Sequence, residues 1–238
     1  QDDRIRQTAK YRAIKMEFHV ITHKTHGGYF FAEQVKNVIH IHQSFETFYR
    51  IFEVQSDIEY EKFIREVKAK EQYQLDRILS TYKYFNCEMS VEQATIFQAL
   101  NDYYRQHLTL DSEIIHVFEH LQAAGYDLFI LTNGPSIDQR NKLNTLQINR
   151  WIPENRWFIS EELNSSKPDI EIFNHVAEEL GYLSHEFAYI GDNYTNDILG
   201  ASQAGWHAIH YTHPTHRRDN PNHPTTIQHI SEIINLFS

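Results

Sequence analysis

Cys87 is the only cysteine in 238 residues, so no internal disulfide can form and packing must hold the fold. A lone thiol suits a reducing compartment, and its simplest place is as a small core residue. Glycine and proline are also scarce, at 8 and 6, too few for a fibrous or low-complexity chain. No stretch reaches the roughly 20 consecutive apolar residues that a bilayer span needs. The first ten residues, QDDRIRQTAK, are polar and hold no signal-peptide core. The expectation is therefore a cytoplasmic protein with no membrane partner. Positive charge is the last deficit: 22 Lys and Arg face 32 Asp and Glu, a formal net charge of −10. Such a field repels polyanions, which excludes nucleic acid as a partner and requires any phosphate site to be local.

Hydrophobic residues make up 41% of the chain, enough for a globular core, and the length suits one large domain or a core with a smaller insert. Apolar or aromatic residues at Phe31, Val35, Val38, Phe45, Tyr49 and Phe52, with His42 in the gap, fall at 4-3 spacing, which predicts a helix. Helical patterns continue over 57–72, 73–85 and 90–107, the last opening on Ser90 with Glu92 and Gln93 as a capped start. Residues 25–107 therefore read as a helical insert.

After Asp111 the texture changes. A helix closes at Gly125; then YDLFILTNG, WFIS, FAYIGD and WHAIHY read as short buried strands, separated by the helices PDIEIFNHVAEELG and TNDILGASQAG. This alternation predicts an α/β fold with a doubly wound, Rossmann-like parallel sheet. HPTHRRDNPNHP, 213–224, reads as a polar loop before a last helix. In such sheets ligands sit beyond the carboxyl ends of the strands, and there the polar residues gather: Thr132, Asn133 and Gly134 after one strand, Asp192 after another. His207, His210, His213 and His216 recur at threes, but a strand would turn His207 and His210 to opposite faces, against a shared metal cage.

Together LFILTNGP, SSKPDIEIF and YIGDNYTND resemble the second, third and fourth motifs of the haloacid dehalogenase-like hydrolase superfamily, in that family's order. The resemblance covers about 90–212 and implies a Rossmann-like core from residues 11–24 and 108–238 with a helical cap domain at 25–107. It implies a Mg²⁺-dependent phosphatase acting on a small phosphorylated molecule, as a monomer or homodimer. Thr132, Asn133 and Gly134 would give the phosphate a hydroxyl and backbone N–H donors, and Lys167 would offset its charge. Asp192 would bind Mg²⁺, with Asp197 supporting the metal shell or holding Lys167.

The family's first motif, a strand ending in Asp-x-Asp, is absent. VKNVIHIHQSF (35–45) is set aside because it falls within the expected helix from Phe31 to Phe52. RAIKMEFHVITHK (12–24) alternates as a strand does and precedes the insert; it puts Glu17 at the nucleophile position, also a metal ligand, His19 at the general-acid position and Ile21 where a hydroxyl belongs. Two functions stay open: a phosphatase impaired at this motif, or a catalytically inactive phosphate-binding or regulatory protein. Dehalogenation, a third, would need the same missing aspartate.

Overall fold

The computed structural model describes residues 11–16, 44–65, 67–212 and 223–238. Its contacts divide into two compact units: residues up to 25 together with Leu108–Ser238, and His26–His107.

The first unit is built on six parallel strands: β1 Ala13–Met16, β2 Asp127–Thr132, β3 Trp157–Ile159, β4 Phe187–Gly191, β5 His207–Tyr211 and β6 Thr226–Ile227. Their order is β3-β2-β1-β4-β5-β6. β1 therefore lies inside the sheet, with Ile14 opposite both Leu128 and Ala188. Alternate residues serve two cores. Ile14, Met16, Leu128, Ile130, Ala188 and Ile190 face the helices Ser112–Ala123 and Glu232–Leu236. Ala13, Phe129, Leu131, Phe187 and Tyr189 face the helix Ile170–Leu180 and the chain around Ile198 and Trp206. Helices on both faces explain why the strands are almost continuously apolar. Trp206 stacks on Phe187 at 4.2 Å and meets Phe173 edge-on at 5.2 Å; each such side chain contributes about 1.5–3 kcal/mol when buried. Lys15, in the inner strand β1, is a charged exception, 0% exposed.

The expected strands at 127–132, 157–159, 187–191 and 207–211 are all present. β6 was not foreseen, because two residues carry no periodicity. His210 shares its face with Ala208 in one core while Ile209 faces the other, so His207 and His210 do point opposite ways. His213 and His216 lie outside the described residues.

In the second unit the helices Phe45–Ile64, Lys70–Tyr84 and Val91–Arg105 pack around Ile78, Tyr82, Ala94 and Phe97, with Phe48 and Phe52 against them. The capped start at Ser90 is present: its hydroxyl accepts from Gln93 N–H at 3.2 Å and its own N–H donates to Gln93 Oε1 at 2.9 Å. Two boundaries differ from expectation. The stripe from Phe31 to Phe52 is interrupted at Ser44, whose backbone is extended and whose hydroxyl caps a helix beginning at Phe45; residues 31–43 lie outside the described residues. The helix expected over 57–72 ends at Ile64. Lys68, in the connection, reaches Glu59 on one helix and Asp76 on the next, so two charged partners outweigh a continuous helical pattern.

Candidate functional site

β2 ends at Thr132, which is buried, and its hydroxyl contact to the Asn133 carbonyl, at 3.5 Å, is too long to fix it. Asn133 does more than expected. Its amide donates to the Lys167 carbonyl at 2.9 Å and its Oδ1 accepts from the Lys167 N–H at 2.9 Å, so the second motif holds the backbone of the third. Gly134 has φ 144°, and a Cβ there would meet Gln139 Nε2 at 2.2 Å, which explains the glycine. Its N–H, expected to face phosphate, instead donates to Ser160 Oγ at 3.0 Å, just past the end of β3. The helix Ser136–Thr145 then starts against Glu161, which accepts from the Ser136 N–H at 2.7 Å.

Lys167 and Asp197 form a buried ion pair, Nζ to Oδ1 at 2.6 Å, with side chains 4% and 2% exposed. Asp197 Oδ2 accepts from the Asn193 N–H at 3.1 Å. The π-helical turn Tyr194–Leu199 after β4 brings Asp197 back over Gly191, where a Cβ would lie 2.5 Å from the Asp197 Cβ. Of the two roles considered for Asp197, the geometry therefore has it holding Lys167. Tyr189 joins the pair: its hydroxyl donates to Asp197 Oδ1 at 2.9 Å and accepts from Lys167 Nζ at 3.0 Å and Lys15 Nζ at 2.6 Å.

Asp192 follows β4 and is half-buried, and among the described residues its carboxylate makes no hydrogen bond or ion pair. Its carbonyl accepts from His210 Nε2 at 3.3 Å; burial first, with His223 nearby, pushes the His210 pKa down. Among the described residues no three His, Cys, Asp or Glu side chains converge on one point. Glu17 and His19 lie outside the described residues. Sequence reasoning missed Tyr189, Ser160 and Lys15, and considered His210 only as a metal ligand, which it set aside. Lys15 read as an ordinary polar position of an alternating strand.

The model of the family described as haloacid dehalogenase-like hydrolase matches residues 41–211. The chain belongs to that family. The matched span starts after Glu17 and His19 and contains Thr132, Lys167, Asp192 and Asp197. Two curated relatives are similar over shorter stretches. A glyceraldehyde 3-phosphate phosphatase of Methanopyrus kandleri is 36% identical over 93 residues, 39% of each chain. A pyrimidine 5'-nucleotidase of Streptococcus pneumoniae is 32% identical over 99 residues, 41% of this chain and 38% of that one. The matched stretch thus spans about two fifths of these relatives. Among solved structures, a dehalogenase with an intermediate complex superposes with a TM-score of 0.73 at 16% identity, covering 96% of this chain and 98% of that one. A magnesium-bound Bacillus subtilis protein classed as a HAD-hydrolase gives 0.68 at 19% identity, covering 96% and 99%. These two likenesses concern the fold. No helix among the described residues is long and apolar enough to cross a membrane.

Proposed function

We propose that the protein is a Mg²⁺-dependent, cytoplasmic phosphatase of a small phosphorylated metabolite, acting as a monomer or homodimer and slowed by its altered first motif. The observation that carries this is Lys167, its ammonium paired with Asp197 and its backbone held by Asn133, at the carboxyl ends of β2 and β4. A fixed ammonium of this kind stabilises the peripheral charge of a phosphoryl group, and phosphoryl transfer depends mainly on such positioning. Thr132, with a hydroxyl not fixed by the protein, would donate to a phosphate oxygen. The helical unit His26–His107 would serve as the cap that selects the substrate. The phosphatase and nucleotidase names of the partial relatives support the same class.

The donor set suits Mg²⁺, a hard ion that takes oxygen ligands, because the Asp192 carboxylate makes no hydrogen bond or ion pair among the described residues. Asp192 and Glu17 would hold the ion, with Asp197 behind them. When bound, it would neutralise charge on the transferring group. Glu17 would stand where the family has its nucleophile and His19 where it has its general acid. A carboxylate displaced by one methylene is off by about 1 Å, and such misplacement can cost around 10²-fold.

The test compares phosphatase turnover and phosphate binding of this chain with the variant Glu17→Asp, His19→Asp, Ile21→Thr. Low turnover that rises by orders of magnitude in the variant supports the proposal. Phosphate binding with no turnover in either protein favours the inactive binding protein. Turnover near 10 s⁻¹ in the unaltered chain, a typical enzyme rate, overturns the impaired-motif assignment. Calorimetry with Asp192→Asn tests the metal ligand; unchanged Mg²⁺ affinity would remove Asp192 from that role.

A further inference from the structure

We propose that Tyr189 is a positioning residue for Lys167, seated from within the core by Lys15, so that a tyrosine on β4 and a lysine on β1 set the phosphate affinity of the site. This rests on Lys167 binding phosphate, as proposed above.

Tyr189 lies on the face of β4 that packs against the helix Ile170–Leu180, fully buried, with its ring 5.7 Å from Phe173. Its hydroxyl meets three charged groups. Lys15 and Lys167 can only donate, so the phenol oxygen must accept from both, at 2.6 and 3.0 Å. Its single proton is then directed to Asp197 Oδ1, at 2.9 Å. Those three bonds use the proton and both lone pairs of the oxygen. Among the described residues the Lys167 ammonium is thereby held by both Asp197 and Tyr189. A flexible four-carbon side chain held by one carboxylate can swing about it; a second acceptor restricts that swing.

Lys15 explains why the hydroxyl keeps its place. Its ammonium lies 3.8 Å from the Tyr189 ring centroid as well as within hydrogen-bond distance of the hydroxyl, which ties ring and oxygen together. A buried ammonium in a central strand is costly unless satisfied, and packing alone would favour an apolar residue there. Here the ammonium is satisfied by the Tyr189 hydroxyl and ring, which couples it to the site.

The test is inorganic phosphate binding by calorimetry on the full chain and on Tyr189→Phe, Lys167→Met and the double variant. Tyr189→Phe is expected to weaken binding about tenfold, short of the roughly 10²-fold that a 1 Å misplacement can cost. It should add nothing once Lys167 is methionine. A merely structural role would give equal losses in both backgrounds, and that result, or unchanged affinity in Tyr189→Phe, overturns the proposal. If Tyr189→Phe does not fold, Lys15→Met takes its place and must also weaken phosphate binding; unchanged affinity there overturns it.

A second measurement is independent of phosphate. The side-chain ammonium protons of Lys167, followed by nitrogen-15 NMR, should be protected from exchange in the unaltered chain and exposed in Tyr189→Phe. If the unaltered chain binds no phosphate, the phosphate-site proposal fails and this spectrum decides about Tyr189: loss of protection supports the clamp, and an unchanged signal overturns it.

Discussion

Replacing Asp197 by alanine should be among the most costly single changes in the molecule. The substitution removes a carboxylate that takes Lys167 Nζ at 2.6 Å, the Tyr189 hydroxyl at 2.9 Å and the Asn193 N–H at 3.1 Å. Both side chains of the ion pair are at most 4% exposed, so water cannot stand in for the lost oxygens. Removing one partner of a buried pair typically costs about 3–5 kcal/mol, against about 0–1 kcal/mol for an exposed pair. The three bonds share one carboxylate and do not add separately, so we expect about 4 kcal/mol, a third or more of a typical domain's stability. Urea unfolding measures it: with a slope of about 1–3 kcal/mol per molar, the midpoint should fall by more than about 1 M. Glu162→Gln is the internal control. It breaks the Arg140–Glu162 pair, 36% and 29% exposed, and should cost no more than about 1 kcal/mol. If Asp197→Ala costs no more than Glu162→Gln, Asp197 is solvated and the buried clamp on Lys167 does not exist.

Two further outcomes follow from the same region. Gly191→Ala puts a Cβ 2.5 Å from the Asp197 Cβ and 2.6 Å from Oδ2, so it should lower stability by about 1–3 kcal/mol in the same unfolding assay and weaken phosphate binding. The His207 pKa is pushed below its ordinary 6.5, first by burial and then by His223. The unfolded chain therefore binds more protons than the folded one between that lowered value and 6.5. Stability should fall as pH drops from about 6.5 and level off below the folded pKa. His207→Gln should reduce that dependence of the melting temperature, leaving the share of His210, whose pKa is lowered too; an unchanged slope would show that His207 does not contribute to it.

The sheet was legible because both of its faces are covered, which makes every strand a short apolar run between punctuating polar turns. The helical unit was harder to delimit. At 31–52 a regular 4-3 spacing predicted one helix, yet Ser44 is an N-cap, and a serine hydroxyl that competes for backbone N–H groups is invisible to hydrophobic periodicity. At 57–72 the pattern ran on through a connection because Lys68 and its neighbours are as compatible with a helix as with a bridge between two. In the candidate site, Thr132, Asn133 and Asp192 stood out because they are polar residues following apolar strands, and Lys167 through the resemblance of SSKPDIEIF to the family's third motif. Tyr189 did not, since tyrosine inside FAYIGD reads as one more large core residue. Its hydroxyl acquires partners only when β1, β4 and the Lys167 segment come together, and pairs separated by 174 and 22 positions leave no local signal.

Asn133 to the Lys167 backbone, Gly134 to Ser160, and Lys167 to Asp197 are bonds among residues that follow β2, β3 and β4. Each joins partners within 132–197. What β1 supplies to this network is Lys15, through Tyr189. These bonds order Lys167, whereas the family's attacking group would come from the segment after Met16. Binding and turnover are expected to respond to different substitutions for that reason: changes at Asp197, Gly191 and Tyr189 act on phosphate affinity, and changes at Glu17 and His19 act on rate. A substitution at Glu17 that alters phosphate affinity as strongly as one at Asp197 would show that the two parts of the site are coupled.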